Sequence, residues 1–131
     1  MVRRLLRLLD IIKNLYKIQL MQQMDAAFAA LADPTRRAIL GRLAKGEATV
    51  MELTQPFAIS QPAISQHLKV LESAGLIVRR VDGSRRPCRL AEGGLDPVDR
   101  WLATLRKALD RNYERLDELL AEIKPTGKVK R

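Results

Sequence analysis

ISQPAISQHLKVL, residues 59–71, decides the reading of this chain. It holds the single histidine of the sequence, His67, and no acidic residue. Wound at about 100° per residue, residues 61–74 put Ile64, Leu68, Leu71 and Ala74 on one side. Opposite them lie Pro62, Ser65, Gln66, Lys69 and Ser73, and Gln61 projects from the N-terminal end. A solvated helix face usually carries Glu, Lys and Arg. This one carries amides and hydroxyls, which are short enough to let a helix lie close to a base-pair edge. They also supply donor and acceptor together. Lys69, farther from the helix start, suits a phosphate oxygen.

The start of this helix is written locally. Ser60 is placed to cap it, and Pro62 is tolerated because first-turn amides have no intrahelical partner. Ile59 before the cap and Ile64 in the second turn form a hydrophobic staple. Ala74-Gly75 ends the helix. Upstream, TVME reads as a capping box, with Thr49 as cap and Glu52 reaching back, and Pro56 keeps that helix short. Farther upstream, ADPT makes Asp33 an N-cap with Pro34 in the first helical position. That helix turns Ile39, Leu40 and Leu43 inward and ends near Lys45-Gly46. Before it, Met24, Ala27, Phe28 and Leu31 repeat at helical spacing. Residues 2–20 form another amphipathic helix, with Leu5, Leu8, Leu9, Ile12, Leu15 and Tyr16 opposite a stripe of Arg3, Arg7, Asp10, Asn14 and Lys17.

Downstream the texture changes. In LIVRRVDGSRRPCRL, Val78 and Val81 are β-branched and Asp82-Gly83-Ser84 is a turn. Cys88 and Leu90 alternate with Pro87 and Arg89, so the stretch reads as a β-hairpin. It carries Arg79, Arg80, Arg85, Arg86 and Arg89, with Asp82 the one acid among them. Phosphate or minor-groove contact therefore weighs more than a solvated strand pair. Asp96-Pro97 opens a long helix in which Val98, Leu102, Leu105, Leu109, Asn112, Leu116, Leu119 and Ile123 follow a heptad seam with one polar interruption. Some 26 residues make a helix about 39 Å long, more than a core of this size covers, so its far half is expected to meet a twin. Asn112 either fixes register there or faces solvent. KPTGKVKR, residues 124–131, reads as a loose basic tail.

The composition agrees. With 131 residues the chain is one domain's worth, with room for an appendage. Its 24 Lys and Arg against 15 Asp and Glu give a formal charge of +9, which favours a polyanionic partner, nucleic acid before membrane. One cysteine permits no internal disulfide and fits a reducing cytoplasm. No apolar run approaches the roughly 18 residues of a membrane span. The expected fold is mainly α with a small β-hairpin, a winged helix-turn-helix dimerising through its terminal helices. The expected divisions are an N-terminal amphipathic basic extension over 1–23, a DNA-binding and dimerisation domain over 24–123, and the tail over 124–131.

FAALADPTRRAILGRL, GEATVMELTQPFAISQPAISQHLKVLESAGLI and the VDGSRRPCRL wing together resemble the arsenic-repressor (ArsR) family of bacterial transcription regulators, over about residues 24–123. The resemblance implies a homodimer on palindromic operator DNA that represses by blocking polymerase. Carried over to this sequence, the DNA-contacting positions of the recognition helix are Gln61, Pro62, Ser65 and Gln66, with wing contacts at Arg85 and Arg86. The long last helix and the first helix of the match resemble the family's dimer interface, which here engages Phe28, Leu31, Leu102, Leu105, Leu109, Asn112, Leu116 and Leu119. Residues 1–20 have no counterpart in the family.

Many members sense metals, and such sensors need thiolates, imidazoles or carboxylates at defined spacing. Where thiolate ligands would sit this chain has VMELTQPF, and where a histidine set would sit it has LDRNYERLDELLAEI. One His and one Cys do not assemble a site without several carboxylates, so no metal and no other cofactor is expected. An inducer is left open, with its chemistry unassigned. His67, off the centre of the apolar face, is expected to be half-buried and bonded to a neighbour. Cys88 reads as a small core side chain before a redox switch that would need a second subunit. Residues 1–20, with five basic residues and one acidic, admit three readings: a helix packed on the dimer, an interfacial membrane helix, or a leader from an upstream start codon. A packed or dispensable helix is favoured over the membrane. An enzyme is disfavoured, because no nucleophile–base pair, glycine-rich phosphate loop or metal cluster is present.

Overall fold

The structure is a computed structural model, which describes residues 1–123 in full and the helical backbone of 124–129. The tail expected over 124–131 lies outside the fully described residues. The elements are α1 (Val2–Leu31), α2 (Pro34–Leu43), β1 (Ala48–Thr49), α3 (Val50–Thr54), α4 (Gln61–Ser73), β2 (Ile77–Arg79), β3 (Pro87–Leu90) and α5 (Asp96–Val129). The chain forms two units, Met1–Val98 and Asp99–Arg131, the second holding the rest of α5.

Local signals set most boundaries of the first unit. The Asp33 carboxylate accepts the Arg36 backbone N–H at 3.0 Å, with Pro34 in the first turn of α2. Ser60 Oγ accepts the Ala63 N–H at 3.3 Å to start α4. The capping box of α3 is complete, with the Glu52 N–H donating to Thr49 Oγ1 and the Glu52 carboxylate accepting from the Thr49 N–H. The apolar sides of these helices meet in one core. Ile39, Leu53, Ile64, Leu68, Leu71 and Cys88 are fully enclosed, with Ala27 and Ala30 of α1 beside them. The alanines have no long side chain, so α2 and α4 can approach the end of α1 closely.

Two features depart from the expectations. The helices read over 2–20 and from Met24 onward are one helix, because the junction QLMQQMD contains no Gly or Pro and is rich in helix formers. The expected hairpin is present as β2 and β3, and a third strand, β1, extends it into a three-stranded antiparallel sheet. β1 pairs with β3 through Ala48↔Cys88 and Thr49↔Pro87, and β2 pairs on the other side through Val78↔Arg89. A two-residue strand offers no alternation to read, so β1 escapes period-based detection.

The hairpin closes tightly. Asp82 and Arg85 exchange both backbone hydrogen bonds, at 3.0 and 2.9 Å, around Gly83-Ser84. Gly83 has φ +63°, which a two-residue loop requires at its first central position. Below the wing, a Cβ on Gly94 would lie 2.6 Å from the Gly75 carbonyl oxygen, so only glycine fits where the chain passes the end of α4. Among the described residues no helix is long and apolar enough to cross a membrane.

Candidate nucleic-acid interface

α4 is seated by Ile64, Leu68 and Leu71, which point its other face outward. Gln61, Pro62, Gln66 and Lys69 are exposed there, and Ser65 is half-buried. A concavity opens between this helix, α3 and the wing. It is lined by Gln61 and Ser65 of α4, Met51 and Gln55 beside them, and Arg85 and Arg86 of the wing. Four of the seven residues expected to touch DNA therefore share one surface depression. Pro62, Gln66 and Lys69 lie outside its lining, on the exposed side of α4.

Met51 is 69% exposed at this rim, and neither it nor Gln55 stands out in the sequence. Their signal is positional: Met51 sits on α3 and Gln55 at its C-cap, and only the fold shows which side of that helix borders the groove.

The wing arginines divide into two groups. Arg80 bonds Glu47 at 2.7 Å and lies 3.9 Å from Asp82, and Arg79 bonds Glu72 at 3.2 Å. These two tie the sheet to the body of the unit. The guanidiniums of Arg85, Arg86 and Arg89 make no hydrogen bond or ion pair among the described residues, so their charge stays available to a phosphate. Arg85 is close enough to act on Glu52. The Glu52 carboxyl is held below the usual range first by hydrogen bonds from Thr49, and further by the charges of Arg42 and Arg85.

Arg36 braces the recognition helix from behind. Its guanidinium donates to the Ala30 carbonyl at 2.7 Å and the Ala29 carbonyl at 3.2 Å. It also lies 3.3 Å from His67 Nδ1. His67 is half-buried, 3.9 Å from the Asp33 carboxylate, which matches the neighbour-bonded role expected for it. Asp33 is held below the usual carboxyl range mainly by the Arg36 backbone N–H, with the charges of His67 and Arg36 adding to it. Three helices thus meet at one guanidinium, which fixes the pose of α4.

Cys88 is fully enclosed at the centre of the sheet, and burial pushes its thiol pKa up. A raised pKa works against the thiolate that redox chemistry needs. Of the residues expected at the dimer interface, Phe28 is 37% exposed and Leu31 half-buried in the first unit. In the second unit, Leu105, Leu109, Leu116 and Leu119 are 42–55% exposed, Leu102 is half-buried and Asn112 is exposed.

Residues 31–80 match a helix-turn-helix domain family. The chain is 50% identical over 91 residues to the HTH-type transcriptional regulator Rv2034 of Mycobacterium tuberculosis, a match covering 70% of this chain and 78% of that protein. It is similar to the crystal structure of an ArsR family transcriptional regulator, RHA00566, with TM-score 0.65 and 40% identity over 68% of this chain and 92% of that one. The homodimeric winged helix-turn-helix DNA-binding domain Mb0332 from Mycobacterium bovis aligns with TM-score 0.55 and 29% identity, over 76% of this chain and 89% of that one. A capped recognition helix, a wing with unpaired arginines and these likenesses lead to one assignment: the chain belongs to the ArsR family of helix-turn-helix transcriptional regulators.

Proposed function

We propose that this regulator is a cytoplasmic, non-enzymatic repressor that binds a palindromic operator as a homodimer and needs no metal. The observation that carries this reading is the shared concavity: Gln61 and Ser65 face the same depression as Arg85 and Arg86, whose guanidiniums make no hydrogen bond or ion pair among the described residues. Gln61, Ser65 and Gln66 read base edges, and Pro62 keeps the first turn close to the groove floor. Lys69, Arg85 and Arg86 neutralise phosphates.

The homodimer is supported by the exposed leucine seam of α5, an apolar row that a second copy would cover. Phe28, Leu31, Leu102, Leu105, Leu109, Asn112, Leu116 and Leu119 form the proposed interface. Metal independence is supported by the state of the two softest ligands. Cys88 is enclosed in the sheet, and His67 turns Nδ1 to Arg36 and Asp33. These residues do not fit a transition-metal site. Release by an inducer is part of the proposal, without a chemistry assigned to it.

Selection of bound duplexes from a random pool tests the reading. The expected result is an enriched inverted repeat whose half-sites are about one helical turn apart, near 34 Å, with no change when a chelator is added. An enriched pool without two-fold symmetry, or no enrichment at moderate salt, overturns it.

A further inference from the structure

A second depression in the first unit shares no residue with the DNA-facing concavity. Its volume is about 340 Å³, within the range of small-molecule sites. Leu31, Leu40, Ala44, Leu76, Leu90 and Leu95 make it apolar. Leu76 is buried there, whereas Leu90 and Leu95 are 37% and 48% exposed. Gly41 keeps the space open. It stands inside α2, where glycine weakens a helix, and a Cβ on it would meet no atom within 4 Å.

Charge selects the occupant. Arg37 is the one charged residue in the lining, which holds no carboxylate among the described residues. Its guanidinium donates to the Leu31 carbonyl at 2.8 Å and forms no ion pair among the described residues. That bond holds a planar donor fork beside an apolar cavity, which suits a carboxylate on a hydrocarbon chain. A phosphate monoester would bring a second charge, and the lining has no second cation for it. An alkyl chain of about eight to ten carbons fits a cavity of this class.

The walls of the cavity are also anchors of the recognition helix. The Leu76 N–H donates to the Leu71 carbonyl in the last turn of α4, and the Leu76 carbonyl accepts from Ala91, both at 3.0 Å. Gly94, another wall residue, is pressed against Gly75 just past that helix. Arg36, the neighbour of Arg37 on α2, reaches His67 of α4 at 3.3 Å. A ligand releases DNA only by binding one pose of α4 better than another, and these walls move with that pose.

We propose that this cavity binds a medium-chain monocarboxylate, with the alkyl chain among the leucines and the carboxylate on Arg37, and that the bound acid releases the operator. The proposal rests on the repressor reading and gives the inducer its chemical class.

The test titrates the full chain with hexanoate, octanoate and decanoate by calorimetry. Affinity should rise by about four-fold per added methylene. Arg37→Gln should weaken octanoate about ten-fold and leave octanol within about two-fold of the parent. Gly41→Leu fills the cavity, so it should bind neither while holding the operator as the parent does. Saturating decanoate should weaken operator binding by the parent about ten-fold and leave Gly41→Leu unmoved. No binding by the parent, equal losses of octanoate and octanol in Arg37→Gln, or binding retained by Gly41→Leu overturns the proposal. Decanoate binding that vanishes as the chain dimerises gives the cavity to a second copy and also overturns it. A parent that selects no duplex refutes the repressor reading as well, whereas a selective complex indifferent to decanoate refutes this site alone.

Discussion

At the residue scale, the reading and anchoring groups differ in what their loss should do. On the proposed reading Ser65→Ala and Gln66→Ala each lower discrimination by about 1–3 kcal/mol per base contact while leaving random-duplex binding nearly unchanged. Arg85→Ala should weaken every sequence alike and reduce the slope of log K against log salt by about one per bound subunit. Titrating specific and random duplexes across a salt series checks both, and parallel losses for the two classes would contradict the assignment. Arg79 and Arg80 give the contrast, since their guanidiniums are held by Glu72 and Glu47. The composition of the hairpin grouped all five wing arginines together, and only the family resemblance picked out Arg85 and Arg86. Glu47 lies 33 positions from Arg80, and nothing local announces such a pair. The recognition face was legible because its periodicity is local, and His67 was legible as a half-buried side chain, although its partners Arg36 and Asp33 were not.

At the element scale, caps and close approaches govern stability. Glu52 and Asp33 both have folded pKa values below their ordinary ones. Their contribution is therefore present above the usual carboxyl range and is lost as pH falls through the lowered folded values. Glu52→Gln keeps the reach back to Thr49 but cannot titrate. Its stability should fall less steeply than the parent's on acidification, as followed by urea unfolding at a series of pH values. Gly94→Ala should cost about 1–3 kcal/mol, because the new methyl meets the Gly75 carbonyl and the backbone must shift. A thermal melt unchanged by that substitution would contradict the close approach. The elements themselves were legible wherever a side chain marked the boundary, as at Asp33, Thr49 and Ser60. The break expected between residues 20 and 24 had no such marker, and none is present in the structure.

At the scale of the whole molecule, the basic excess and the placement of acids matter more than any single contact. A formal charge of +9 raises the encounter rate with DNA, and the rate should fall steeply as salt rises. Stopped-flow association measured at two ionic strengths checks this. A salt-independent rate would show that the arginines act only after docking. Fold class, wing and helix-turn-helix were legible at this scale because successive elements carry distinct periods. The leucine seam was legible as an excess of apolar surface, and the twin proposed to cover it was not, since a single chain does not record what lies across an interface.

Sealing the only thiol of the chain in the middle strand has a practical outcome. Cys88 is flanked by Ala48 on one side and Arg79 on the other, so reagents reach it only when the sheet parts. Alkylation kinetics would therefore act as an internal stopwatch for wing opening, with no label added. Slower alkylation when operator DNA is bound would mean that gripping the duplex clamps the sheet shut.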